Sequence, residues 1–239
     1  MTLHNFFAAA DAERSAVGVS VRVDSRLSPL YEHAVAFESW RQHLLTHRLG
    51  SGLPFWIEAQ NDFLLALMHA GDGVWRSSLQ SLRSFVENAT GALFYQEHSV
   101  EAKMFALGSH RLSWTETKAY FDAYPREAKL SLDRMMIDSL GREYAELSRA
   151  VHGSSESYRM TASQAFPKLC SSDTSLVGKW SARANACARA IHLLYCRQLA
   201  ADLVGARLPA LREDVGRVLS DKDRATVLAE LAVVLPEPK

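Results

Sequence analysis

Tyr144, Ser148 and His152 stand at i, i+4 and i+8 in the stretch Gly141-Arg142-Glu143-Tyr144-Ala145-Glu146-Leu147-Ser148-Arg149-Ala150-Val151-His152-Gly153. On a helix they run along one edge as a phenol, a hydroxyl and an imidazole. An imidazole with an ordinary pKa near 6.5 exchanges protons at neutral pH, so His152 is a candidate general acid or base, with Ser148 and Tyr144 as its catalytic neighbours. The same residues also read as a plain helix end. A histidine in the last turn satisfies terminal carbonyls and gains from the helix dipole, with Gly153 supplying a left-handed cap. Candidate phosphate ligands are Arg83, Arg149 and Arg159, and Tyr158 offers a ring for stacking on a base. Tyr158 and Arg159 could equally pin their loop to the body of the protein. Arg83 with Glu87 is an i, i+4 pair that reads as a surface or inter-helix ion pair. Glu97-His98 reads as a loop capping a helix that begins near Ser99.

The elements that must position these groups are helical. Leu140, Tyr144, Leu147 and Val151 recur at four, three and four residues, which predicts a buried stripe on a helix over 126–152. Upstream, Leu79, Leu82, Phe85, Val86, Ala89 and Leu93 predict a second long helix over 75–96. Pro29 and Pro54 open two earlier helices, ended by Gly50-Ser51-Gly52 and by Gly71-Asp72-Gly73. Ser113 with Glu116 forms a capping box for a further helix. Helices are also expected over 99–105, 175–203, 209–219 and 221–234. Residues 3–15 suggest a short helix, whereas Val17-Gly18-Val19-Ser20-Val21-Arg22-Val23 alternates as a strand or extended segment does. The expectation is one all-α bundle of about eight to ten helices over 28–239, preceded by a short irregular or extended arm over 1–27.

Composition narrows the chemistry. A chain of 239 residues that is 48% hydrophobic can bury a full core. Its 27 basic and 27 acidic residues cancel, which argues against counterion-driven binding to nucleic acid over the whole surface but leaves room for a local basic patch. Cys170, Cys187 and Cys196 make an odd count without a Cys-x-x-Cys pair, so reduced buried thiols are expected, with no metal and no cofactor. The start lacks the pattern of a signal peptide, and no apolar run reaches membrane-spanning length, giving the expectation of a soluble, cytoplasmic protein. Serine-hydrolase elbows, phosphate-binding glycine loops, dinucleotide fingerprints and metalloprotease helices are all lacking.

Tyr144-x-x-Leu147-Ser148-x-x-Val151-His152-Gly153 at a helix end, preceded by Ser81-Leu82-Arg83-x-x-x-Glu87-Asn88 and by Tyr95-x-x-His98-x-x-Glu101, resembles the HEPN superfamily. These helical-bundle proteins serve in prokaryotic toxin-antitoxin and antiviral defence systems, and the resemblance covers about residues 75–165. It implies a homodimer paired through the motif helices and, in active members, a metal-independent ribonuclease in which an Arg-x4-6-His motif promotes attack by the RNA 2'-hydroxyl. His152 fills the histidine position. The arginine positions hold Ala145, Glu146 and Leu147, so the motif departs from the family pattern. The resemblance therefore also allows a non-catalytic member that binds RNA or a partner protein. A helical scaffold is the third reading.

Overall fold

The structure, a computed structural model, describes residues 2–124, 130–152, 170–205 and 207–237, which form helices and turns with no strand among them. In chain order the helices are α1 (Leu3–Val21), α2 (Ser28–Trp40), α3 (Thr46–Arg48), α4 (Leu53–Gly71), α5 (Trp75–Glu97), α6 (Ser99–Ala106), α7 (Trp114–Ala123), α8 (Ser131–Val151), α9 (Thr174–Gln198), α10 (Ala200–Leu203), α11 (Pro209–Val218) and α12 (Asp221–Leu231). The expected all-α bundle is what these residues adopt. Single turns such as α3 and α10 raise the number of segments above the expected eight to ten. No helix among the described residues is long and apolar enough to cross a membrane.

The bundle is built around α5. Trp75, Leu79, Leu82, Val86, Ala89 and Leu93 recur every three or four residues, and the structure buries all six. α4 lies antiparallel to α5 through the turn at Gly73, whose φ of 68° is open to glycine at little cost. A Cβ there would also fall 2.5 Å from the Ser171 carbonyl oxygen, so glycine lets two chain segments touch. At the other end of the hairpin, a Cβ on Gly52 would lie 2.0 Å from the Ala92 carbonyl oxygen. Phe37 of α2, Phe63 of α4 and Phe85 of α5 then meet in a knot, with ring centroids 5.2, 5.1 and 4.9 Å apart.

α9 completes the core. The buried Tyr195 hydroxyl donates to the Ala89 carbonyl at 2.8 Å, and the Trp40 indole N–H donates to His192 Nδ1 at 3.1 Å. Two ion pairs tie α8 to α9, Glu143 with Arg183 at 2.7 Å and Asp133 with Arg197 at 3.0 Å. Glu230 of α12 accepts the Leu132 backbone N–H at 3.1 Å, satisfying one open donor at the start of α8.

Several boundaries differ from the sequence expectation. The arm is helical: α1 continues through Val21, and a 3-10 turn at Ser25–Leu27 leads into α2. Val17 and Val21 are an i, i+4 pair facing the core, while Val19 and Val23 point into solvent, so the alternation is one helical face beside exposed valines. A helix also satisfies its own backbone groups, which a strand without a neighbour cannot. α8 begins at Ser131, because Leu130 is extended at φ −99° and ψ 155°; residues 126–129 of the expected helix lie outside the described residues. The long helix expected over 175–203 breaks at Leu199 into α9 and α10, and α12 stops at Leu231 where Ala232 turns left-handed. Past Trp40, α2 gives way to a π-helical turn over Arg41–Leu45. The capping box at Ser113 and Glu116 and the three free, buried cysteines are as expected. Burial pushes the Cys196 thiol up to about 12 and Cys187 higher still, so neither is a ready thiolate.

Candidate functional site: the seam between α5 and α8

α5 and α8 run antiparallel, so residues near the start of one face residues near the end of the other. The pairs Arg76 with Val151 and Arg83 with Tyr144 mark this register. Arg76 and Arg83 are seven residues apart, two helical turns, and therefore share the face of α5 that looks onto α8.

At the Tyr144 level the contacts form a closed set. The Tyr144 hydroxyl donates to Glu87 Oε1 at 2.6 Å and accepts from Arg83 Nη2 at 2.9 Å. Arg83 Nε donates to the same Glu87 oxygen at 3.1 Å. The Arg83 guanidinium carbon stands 5.1 Å from the Tyr144 ring centre, and Trp114 of α7 stacks on that ring at 4.5 Å with 14° between planes. Burial, reinforced by the Glu87 carboxylate, raises the phenol pKa, so Tyr144 remains protonated at neutral pH. Arg83 with Glu87 is thus both an intrahelical pair and a bridge between helices.

At the His152 level the seam is open. His152 is exposed at the end of α8, where its backbone N–H donates to the Ser148 carbonyl at 3.0 Å. The Arg76 guanidinium donates to the Val151 carbonyl at 2.9 Å, placing a cation one peptide unit from His152. That contact satisfies one of the open carbonyls at the helix end with a charged donor. Ser148 is half-buried between these levels. Arg149 is paired with Glu146 on its own helix, and Arg183 stands 3.9 Å from the other Glu146 oxygen.

The helix rise sets Tyr144 about 12 Å from His152 along the axis, so the three polar tips do not meet at one reacting atom. Near His152 the Arg76 guanidinium meets the backbone, at the Val151 carbonyl of the peptide bond that leads into it. Tyr158, Arg159 and the glycine at 153 lie outside the described residues. Arg76 and Trp114 were not singled out by sequence reasoning. The seven-residue spacing from Arg83 was the available signal for Arg76; Trp114 reaches Tyr144 only through the packing of α7.

His98 is the N-cap residue of α6, which starts at Ser99 as the sequence reading expects, and its carbonyl accepts the Ala102 N–H at 3.0 Å. Its side chain takes no part in the cap: Nδ1 lies 2.8 Å from the Phe94 carbonyl oxygen, and the ring stacks on Phe94 at 4.0 Å. Glu97 accepts hydroxyls from Tyr120, at 2.9 Å, and from Tyr124. His43 and His47 stand at i, i+4, yet no group of three or more metal-ligating side chains occurs among the described residues.

Fold and site together define a helical bundle with a seam of arginine, tyrosine and tryptophan that ends at an exposed histidine. Comparison with family models, with curated proteins and with solved structures finds no match to this chain.

Proposed function

We propose that the protein is a HEPN-like member of a bacterial antiviral defence or toxin-type system, working as a homodimer in the cytoplasm on RNA without a metal ion. The observation that carries this reading is the Arg76 guanidinium on the Val151 carbonyl, one peptide unit from His152. The sequence of the motif helix lacks the family's arginine, and this reading takes Arg76 of α5 as the cation from outside the motif. RNA cleavage by transesterification requires removal of a proton from the 2'-hydroxyl, attack of that oxygen on the adjacent phosphorus, and protonation of the departing 5'-oxygen. The products are a 2',3'-cyclic phosphate and a 5'-hydroxyl end. In this reading His152 takes or returns a proton, and Arg76 offsets the charge that builds on the phosphate oxygens. Arg83 and Tyr144 hold α5 against α8 and so position Arg76; Ser148 lines the seam, and Arg149 stands on the same turn as His152.

The second reading, RNA or protein binding without cleavage, is favoured by one specific observation: Arg83, Tyr144 and Glu87 already satisfy one another. The deciding experiment incubates wild type, His152→Ala and Arg76→Ala with total RNA in the presence of a chelator, and scores cyclic-phosphate ends. Loss of about 100-fold or more in both variants supports the nuclease. Equal activity in all three refutes it, and RNA retention by wild type in a filter assay then identifies the binding protein.

A further inference from the structure

α1 leaves the body of the protein as a helix with little cover. Its second half is anchored: Val17 packs at the Gly73 turn, Arg14 stands 3.7 Å from Asp72, Arg22 pairs with the same carboxylate, and Gly18 is buried. Its first half carries Leu3, Phe6 and Phe7, all exposed, and residues 2–9 are all in solvent. Leu3, Phe6, Phe7 and Ala10 fall at i, i+3, i+4 and i+7, the spacing of anchors on a helix that docks into a groove. No Asp, Glu, Lys or Arg occurs before Asp11.

Where the anchored half ends, a groove of about 520 Å³ opens between the chain around Val23 and the end of α4. Val23, Leu27, Tyr31, Leu67 and Met68 supply its apolar lining, and Arg22 and Asp72 mark its polar end. Tyr31 is shared with a neighbouring cavity of about 460 Å³ that continues past Leu64, so the apolar strip extends along α2 and α4. Val23, Tyr31, Leu64 and Met68 are exposed. The strip and the α1 anchors are therefore two uncovered apolar surfaces of the same chain. α1 cannot fill its own groove: Leu3 lies about 16 Å beyond Arg14 along a continuous helix anchored at the groove's edge.

We infer that these surfaces dock reciprocally, α1 of each copy lying in the α2–α4 groove of a second copy of this chain. The arrangement is two-fold and closed, because the same helix and groove are used by both partners. The seven side chains named as exposed, Leu3, Phe6, Phe7, Val23, Tyr31, Leu64 and Met68, each leave 41% to 80% of their surface in solvent. At about 200 Å² for a large side chain they offer about 800 Å² per copy, the area per partner of a stable interface. The α1 anchors carry no charge, and Arg22, Asp24 and Asp72 border the apolar lining that would receive them. This inference does not rest on the RNA reading; it assigns the dimer contact to α1 and the α2–α4 groove in place of the motif helix α8.

Sedimentation velocity of the full chain tests it without reference to RNA. Wild type at tens of micromolar is expected to run as a dimer. Phe6→Asp with Phe7→Asp, and separately Tyr31→Glu with Met68→Glu, are expected to weaken that dimer about 30-fold or more. Val100→Glu with Leu107→Glu, on the exposed apolar residues at α6, should leave it intact. All of these positions are exposed or half-exposed, and unchanged circular dichroism checks that each variant folds. A monomeric wild type overturns the inference, as does a dimer lost with the α1 variant but kept with the groove variant. A dimer kept by both the α1 and the groove variants would return that contact to α8 and also overturn it. Binding of the monomer to phosphatidylglycerol vesicles, lost with Phe6→Asp and Phe7→Asp, would assign α1 to a lipid surface and likewise overturn it.

Discussion

Lowering the pH from 7 to 5 should cost the fold about 2 kcal/mol through His192 alone. This ring is fully buried in α9, stacked on Phe37 at 4.3 Å and facing His33 at 5.2 Å. Its Nδ1 accepts the Trp40 indole proton, which only a neutral imidazole with its own proton on Nε2 can do. Burial, with the neighbouring His33 adding to it, holds its pKa well below the ordinary value. The sign follows. In the unfolded chain His192 takes up a proton below about pH 6.5, while in the folded chain it stays neutral. The folded state thus binds fewer protons, and stability is fully present above about pH 6.5 and falls with pH towards the depressed folded pKa. At about 1.4 kcal/mol per pH unit below the ordinary histidine pKa near 6.5, the loss by pH 5 comes to about 2 kcal/mol. His33 is shifted in the same direction by burial, against its bond to Asn185 at 2.9 Å, and adds a smaller share. Urea denaturation at pH 5, 6 and 7 measures this loss, and His192→Phe should flatten the slope while costing stability at pH 7 through the unpaired Trp40 N–H. A wild-type stability that is flat over this range, or a slope that His192→Phe leaves unchanged, refutes the reasoning.

Other perturbations probe the packing and the buried charges. Gly52→Ala would drive a Cβ to 2.0 Å from the Ala92 carbonyl oxygen, where backbone must move, and should lower stability by about 1–3 kcal/mol in thermal melts. Asp223 is fully buried, accepts from Arg189 Nε at 2.6 Å and from the Ser220 hydroxyl at 2.7 Å, and completes the cap of α12. Asp223→Ala leaves Arg189 without that partner and should cost about 3–5 kcal/mol in urea titrations; an effect under about 1 kcal/mol would show that water replaces the carboxylate freely.

The legible part of the fold was the part carried by local periodicity. Leu79, Leu82, Val86, Ala89 and Leu93 announce α5, Ser113 and Glu116 announce α7, and Gly71-Asp72-Gly73 announces the turn between α4 and α5. Val17 to Val23 misled because valines spaced by two satisfy a strand pattern while Val17 and Val21 also satisfy a helical one. Only the lack of a pairing strand among the described residues decides for the helix.

The candidate site divides along the same line. Tyr144, Ser148 and His152 were visible because residues four apart share a helix edge whatever the rest of the chain does. Sequence alone therefore determined the helical bundle, its main stripes and the place of a histidine at the end of the motif helix; that the histidine is exposed came from the structure. Which cation meets that helix end was a tertiary matter, since Arg76 is 75 residues from Val151 in the chain and reaches its carbonyl only through the antiparallel packing of α5 on α8. The pairing of Arg83 and Glu87 with Tyr144, and the stacking of Trp114 on that ring, likewise arise from the meeting of three helices. Local spacing fixes which side chains share a face; only the packing of buried stripes against one another fixes what that face meets.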